Sequence, residues 1–386
     1  MSTFKLTRST GAPAPRRVSV LGVGGGGGRA VACVVGGAGG PVIAAVNTDS
    51  RSLSESKAMT KIQIGVGDSD GFGAGGDPDL GKLAAQHDVE MLRGLFTDTD
   101  VAIVAACLGG GTGTGATPVV LETARAAGVF TIALVTLPFG FEGGKRKVLA
   151  ETGLRASVDA ADLVCVIHND HLLAAVGGEN VKESFKAADE ALAAGICCLW
   201  QLLVQPAFIG IDLADLTALA SRTGGGCLFG FGDARGVGRA QSAVDALLDG
   251  PVMEKGRALR TSGAAVICVA GAHDLTLAEV GDVMSAVSNA TPDDCNLTMG
   301  AVVNEQWRDR VLVSAFVADR KRTVSSKPRS AAAPKKGSRK RKRELQDKLK
   351  LDVSGKGRFK NVEATIMDGE DLDIPTFVRR ALQIEK

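Results

Sequence analysis

Two glycine runs constrain this chain more than any other feature. Gly22-Val23-Gly24-Gly25-Gly26-Gly27-Gly28 follows the apolar segment Arg17–Val23, and Gly109-Gly110-Gly111-Thr112-Gly113-Thr114-Gly115 follows Val101–Leu108. Glycine makes up 50 of 386 residues, and its clustering points to backbone brought close to something. Both runs join an apolar strand to a helical stretch. Backbone N–H groups in such a turn, together with a helix N-terminus, suit an anion. The first run alone is weak, because Gly22, Gly24 and Gly27 also satisfy the dinucleotide pattern GxGxxG. The second is more specific. Its seven residues are only Gly and Thr, a nest of donors plus two hydroxyls that suits a di- or triphosphate and its metal. No GxxxxGK[ST] occurs, which excludes a P-loop.

Short apolar runs recur around these turns. Val42–Val46, Val129–Leu137 and Leu163–Ile167 alternate with helical stretches Pro78–Phe96, Thr117–Ala127 and Lys145–Asp159. Apolar strands alternating with helices predict a parallel sheet covered on both faces. Ligands bind such sheets beyond the strand carboxyl ends, where Asn47 and Asp49 also fall. Glu179–Val204 reads as one long helix. Beyond it, strands at Val266–Ala270, Leu297–Val303 and Val311–Val317 and helices at Gly238–Leu248 and Leu277–Ala290 predict a second, α+β domain. The expected class is α/β: a Rossmann-like parallel-sheet domain (17–179), a central helix and loop (180–209) and an α+β domain (210–319). A flexible N-terminal tail (1–16), a disordered basic linker (320–367) and a C-terminal peptide (368–386) complete the expected organisation.

Charge divides the same way. The net charge is only +2, yet residues 320–360 hold 17 basic and three acidic side chains. The body is therefore acidic. The linker is too poor in apolar residues to offset the entropy of ordering. It is either a solvated spacer or a contact for anionic lipid or nucleic acid. No apolar run approaches the roughly 20 residues of a membrane span, and the N-terminus lacks a signal-peptide pattern. The eight cysteines include no CxxC pair, so reduced thiols in a cytoplasmic protein are expected. His168 and His171 lack further ligands nearby, and no metal site built from protein side chains is expected.

With these motifs in order, the chain resembles the FtsZ family of bacterial cell-division GTPases in the tubulin superfamily. GGGTGTG resembles the tubulin signature loop. GVGGGGG at 22–28, AVNTD at 45–49, GFGAGGDP at 71–78, LPFGFEGGKR at 137–146 and Asn169-Asp170 also look like FtsZ segments. Asp373-Ile374-Pro375-Thr376-Phe377-Val378-Arg379-Arg380 resembles the family's C-terminal partner-docking peptide.

The resemblance implies a GTP/GDP site with Mg²⁺. Gly24, Gly25, Gly26 and Gly27 and the run Gly109–Gly115 (Gly109, Gly110, Gly111, Thr112, Gly113, Thr114, Gly115) would hold the phosphates. Asn47 and Asp49 would sit near the phosphates and metal. Glu142 and Arg146 would meet the ribose and phosphate side, Asn169 the base or ribose, and Phe185 the guanine face. A carboxylate suits guanine's N1–H and N2–H₂ donors, and either Asp189 or Glu190 would supply it. Asp212 and Asp215 match the loop that enters the next subunit's site and orients the attacking water in trans. Locally they also read as caps of the following helix. Implied partners are further copies in head-to-tail filaments and membrane-tethering division proteins bound through Asp373, Ile374, Pro375, Phe377, Arg379 and Arg380. The implied location is the inner membrane face at the division site. Arg29, Glu190 and Gly210 depart from the family pattern, where Asn, Asp and Asn are usual. They keep open a structural filament paralogue that binds GTP with little hydrolysis. An NAD-dependent oxidoreductase, read from GxGxxG and Asp49, leaves GGGTGTG unexplained.

Overall fold

The computed structural model describes residues 16–34, 41–176, 181–204, 209–223, 226–303, 307–319 and, near the C-terminus, 366–367 and 370–371. The first half alternates strand and helix: β1 (Val18–Val23), α1 (Gly24–Ala32), β2 (Val42–Asn47), α2 (Ser50–Glu55), β3 (Thr60–Gln63), α3 (Val66–Ser69), α4 (Pro78–His87), α5 (Val89–Gly94) and β4 (Val101–Cys107). It continues through α6 (Gly111–Ala126), β5 (Phe130–Leu137), α7 (Gly144–Ala160), β6 (Leu163–His168) and α8 (Asn169–Val176) to the long α9 (Val181–Val204). The second half comprises α10 (Leu213–Thr223), β7 (Gly226–Arg235), α11 (Arg239–Leu248), α12 (Arg257–Arg260), β8 (Ser262–Gly271), α13 (Leu277–Asn289), β9 (Asn296–Val303) and β10 (Arg310–Asp319).

These strands form one ten-stranded sheet in the order β3-β2-β1-β4-β5-β6-β7-β10-β8-β9. The first six run parallel in the doubly wound order, reversing direction between β1 and β4. Their apolar residues are buried along nearly their whole length, as strands covered on both faces must be. β7 extends the parallel set through three residue pairs to β6, and β10 then pairs antiparallel with both β7 and β8. The sheet is therefore continuous past the long helix. One apolar cluster contains Val20 of β1, Leu199 of α9 and Phe316 of β10.

The long helix is the spine of that cluster. Contrary to the expectation that no run approaches a membrane span, Lys182–Val204 is long and apolar enough to cross a bilayer, with a mean hydropathy of 1.5 in its most apolar window. It lies mostly buried, with Leu192, Ile196, Leu199 and Leu202 in the core. Its apolarity is that of a core helix.

Several elements differ from the sequence expectation. The stretch Pro78–Phe96 is two helices divided at Asp88, whose carboxylate accepts the Gly65 N–H at 2.6 Å. The helix expected from Thr117 begins at Gly111, and the first run is likewise helical from Gly24. Both glycine runs are largely the opening turns of helices rather than loops. The basic linker lies outside the described residues apart from Ile366 and Met367, and so does the C-terminal peptide apart from Glu370 and Asp371. In that second unit, Ile366–Met367 pairs antiparallel with Glu370–Asp371.

Candidate nucleotide-binding site

The two glycine helices start side by side at the carboxyl ends of β1 and β4, where the sheet's strand order reverses. Glycine is disfavoured in a helix by about 1 kcal/mol relative to Ala, so a contact must offset it. A Cβ at Gly27 would lie 2.3 Å from the Ala105 carbonyl oxygen, and one at Gly113 would lie 2.4 Å from that of Cys107. A Cβ at Gly115 would lie 1.9 Å from the Pro78 carbonyl oxygen. These glycines let α1 and α6 press onto β4 and α4. Gly25 and Gly110 are different. A Cβ at Gly110 meets no protein atom within 4 Å, and one at Gly25 meets only the Arg29 guanidinium at 4.0 Å. Both line a cavity of about 300 Å³.

Neither helix N-terminus carries a side-chain cap, and neither has an acidic residue in its first turn. Their first N–H groups are thus left for an anion at the positive end of two helix dipoles. Gly24, Gly26, Gly111, Thr112 and Gly113 line the same cavity, together with Glu142, Arg146, Asn169, Phe185 and Asp189. An adjoining pocket of about 250 Å³, lined by Asn47 and Ser52, shares Gly24, Gly25 and Arg29 with it.

The polar groups divide into those held by the protein and those open to a ligand. Thr112 Oγ1 pairs with the Thr48 hydroxyl at 2.7 Å, and Thr114 Oγ1 accepts the Gly109 N–H at 2.8 Å. These hydroxyls brace the run. Glu142 accepts the Phe139 N–H at 2.9 Å and pairs with Arg146. Asn169 is buried at the cavity wall, and its Oδ1 has no hydrogen-bond partner among the described residues. A buried amide oxygen without a partner costs free energy unless a ligand donor meets it. That orphan, the uncapped helix ends and the glycines that open on empty space fit a phosphorylated ligand with hydroxyl or N–H donors.

The far end of the cavity is aromatic and acidic. The Phe185 ring meets Phe139 edge-on, with centroids 5.2 Å apart, and leaves part of its surface exposed. Asp189, one turn further along α9, is buried to 9% exposure and bound by Arg29 Nε at 2.9 Å. Burial pushes its carboxyl above the ordinary range, against the pull of Arg29. Glu190 is exposed, pairs with Lys186 at 3.6 Å and is not among the lining residues.

Not every expected residue joins this cavity. Asp49 caps α2, accepting the Arg51 and Ser52 N–H groups and the Ser52 hydroxyl. The Ser52 hydroxyl, foremost, holds its carboxyl below the usual value. Asn47 faces the adjoining pocket, and its Oδ1 accepts the Asp49 N–H at 3.2 Å. Among the described residues no group of three His, Cys, Asp or Glu side chains is placed to hold a metal. Asp212 and Asp215 lie beyond the other end of α9. From Asp189 to Val204 that helix alone spans about 22 Å. Sequence reasoning missed Thr48 as the brace of Thr112. It also missed Cys107 in the lining, whose thiol burial pushes up to about 11. Its place directly before the second run was the available signal.

The comparisons agree with this architecture. The Tubulin/FtsZ family GTPase domain matches residues 17–177, and the FtsZ family C-terminal domain matches 225–321. Cell division protein FtsZ 1 of Rhizobium meliloti (strain 1021) is 34% identical over 311 residues, 80% of this chain and 52% of that protein. The chain thus spans about half the length of that relative. It matches 92% of FtsZ 2 from the same organism, at 33% identity over 82% of its own length. An empty FtsZ dimer from M. jannaschii superposes with a TM-score of 0.72 and 33% identity, covering 78% of this chain and 88% of that one. CetZ1 from Haloferax volcanii shares the fold at 21% identity, with a TM-score of 0.64 over 78% of this chain and 93% of its own. With two family domains in order along one continuous sheet, the chain belongs to the FtsZ family, the cell-division GTPases of the tubulin superfamily.

Proposed function

We propose that this chain assembles head-to-tail and hydrolyses GTP at each contact, as the filament of a bacterial division ring. The observation that supports this reading is the separation, along α9, of the cavity from Asp212 and Asp215. The cavity with its glycine helices lies at one end of the helix, and Asp212 and Asp215 lie past the other. A carboxylate pair that far from the phosphate cradle has no reach to its own nucleotide. A second copy stacked along the same axis brings it there. Such a contact is heterologous and builds open filaments.

In this reading the N-termini of α1 and α6 hold the phosphates, and Arg146 adds a positive charge beside them. Asn169 Oδ1 accepts from the ribose or base, and the Phe185 ring stacks on guanine. Asp189 accepts from N1–H and N2–H₂, and Glu190 stays outside. Asn47, which lines the adjoining pocket, would help hold Mg²⁺ beside the phosphates, where the ion would neutralise charge. Asp212 and Asp215 orient water for attack and take its proton. The chain's 368–386 peptide docks the filament to membrane-tethering division proteins, and its basic linker meets anionic lipid or nucleic acid.

Phosphate release from GTP, measured against protein concentration, tests the trans site. A threshold followed by a linear rise is expected. A rate proportional to protein from the lowest concentration defeats the shared site. Bound GTP without release at any concentration supports the non-hydrolysing filament instead.

A further inference from the structure

Arg29 is a charged side chain of the cavity to which the phosphate and water chemistry assigns no role. It sits in the last turn of α1, and its guanidinium crosses to α9. Nε donates to Asp189 Oδ2 at 2.9 Å and Nη2 to Oδ1 at 3.5 Å. The two residues are 160 positions apart. Arg29 stays 57% exposed and Asp189 only 12%, counting side chains. Arg29 lines both adjoining pockets, so its side chain forms part of the wall between them. Nη1 makes no hydrogen bond among the described residues, so the fork keeps donors to spare.

A guanidinium fixed beside a carboxylate is a complement to one particular purine edge. Guanine presents O6 and N7 as acceptors, with N1–H and N2–H₂ as donors next to them. Adenine presents an amino group where guanine has O6, and an acceptor at N1. A donor fork and an acceptor set side by side therefore both match guanine and both oppose adenine.

Resting on the guanine-nucleotide reading above, we propose that Arg29 is a specificity-determining residue of the base subsite. Arg29 donates to O6 and N7 while Asp189 accepts from N1–H and N2–H₂, and the two read guanine as one unit. Without a base, the same two groups satisfy each other. That pairing keeps the buried carboxylate from standing alone at the cavity wall, and Arg29 positions it for the incoming base.

The test is equilibrium competition for the site by GDP, 7-deaza-GDP (no N7), IDP (no N2 amino group) and ADP. It uses the full chain, without turnover. In the unmodified protein, 7-deaza-GDP should bind several-fold more weakly than GDP, IDP weaker likewise, and ADP weakest. In Arg29→Ala, GDP should weaken about tenfold. The preference for GDP over 7-deaza-GDP should vanish while the preference over IDP persists. Arg29→Lys should keep part of the O6 contact and lose the N7 one. Equal binding of GDP and 7-deaza-GDP by the unmodified protein overturns the proposal without any variant. Tighter GDP binding by Arg29→Ala also overturns it, and makes Arg29 a competitor for Asp189. No guanine nucleotide bound by the unmodified protein would instead remove the functional reading beneath it.

Discussion

Asp212 and Asp215 hold each other at the start of α10. The Asp215 carboxylate accepts the Asp212 N–H at 2.9 Å, and Asp212 Oδ1 accepts the Asp215 N–H at 3.1 Å and the Ala214 N–H at 2.7 Å. This is a reciprocal cap. It presents two carboxylates on one exposed helix end in fixed orientation, so capping and the proposed water chemistry are served by the same geometry.

The two roles separate by substitution. Asp212→Ala removes the cap and should cost about 1 kcal/mol of stability. Asp212→Asn keeps a capping oxygen and should leave the melting temperature nearly unchanged. Both should lower phosphate release by about 100-fold or more. If Asp212→Asn hydrolyses at the normal rate, the residue is a cap and nothing else.

Complementation tests the shared site directly. Gly110→Ala should obstruct the phosphate cradle but carries intact Asp212 and Asp215. Asp212→Asn carries an intact cradle. Mixed in equal amounts, the two variants should release phosphate faster than either alone, because some contacts join a sound cradle to a sound carboxylate pair. A mixture no faster than the sum of its parts would place the whole site within one chain.

The glycines divide into two predicted groups. Gly25→Ala and Gly110→Ala put a methyl into open cavity space, so folding should survive. Gly25, inside α1, should even gain about 0.5 kcal/mol. Nucleotide affinity should fall about tenfold or more. Gly113→Ala drives a Cβ onto the Cys107 carbonyl oxygen and should destabilise by about 1–3 kcal/mol. Thermal melting alongside nucleotide binding distinguishes the groups. Equal losses in both measurements for all three variants would contradict the assignment.

That division was only half legible in the sequence. Clustered glycine after apolar strands announced close approach and phosphate binding. It did not announce helix, because glycine's own preference opposes one and the compensating contacts to β4 and α4 are tertiary. For the same reason Pro78–Phe96 read as one helix, since the Asp88 bond to Gly65 that accompanies its division comes from 23 residues away. β7, with Gly226, Gly230 and Gly232 in its ten residues, carries weak strand signals and is secured by β6 and β10 on either side. The apolar strands and the long helix were readable because period and composition alone carry them, whereas the side chains around the cavity were named only through the resemblance to the FtsZ family. The partner of Arg29 was not, being set by the packing of α1 on α9.

An ion-pair network around one buried arginine in the second half predicts an acid-sensitive stability. Arg239 of α11 is 7% exposed and donates to Glu279 at 2.8 Å and to Asp274 at 2.5 Å. Glu279 also completes the capping box of α13 with Thr276. The Arg239 hydrogen bonds, foremost, hold both carboxyls below their usual values. Depressed carboxyls contribute stability that is present above their unfolded values of about 4 and lost as pH falls through the folded ones. Arg239→Met should lower the melting temperature by several degrees at pH 7. The gap from the unmodified protein should narrow below about pH 4. A gap constant from pH 7 to pH 3 would show that the network contributes packing alone.

Asp189 carries the opposite sign. Burial raises its carboxyl despite Arg29, so the folded chain holds this proton more readily than the unfolded one. Its contribution to folding is fullest below the unfolded value of about 3.9 and is lost as pH rises through the raised folded value. Base reading runs the other way, because only the carboxylate accepts from both N1–H and N2–H₂. GDP affinity should therefore fall as pH drops through the raised value, above the pH at which an ordinary carboxyl titrates. Arg29→Ala removes the hydrogen bond that restrains the rise, so its affinity should begin to fall at a higher pH still. Asp189→Asn should bind GDP weakly and without this pH dependence. Competition titrations from pH 4 to pH 8 read all three curves, and coincident midpoints for the unmodified protein and Arg29→Ala would show that Arg29 does not act on this carboxyl.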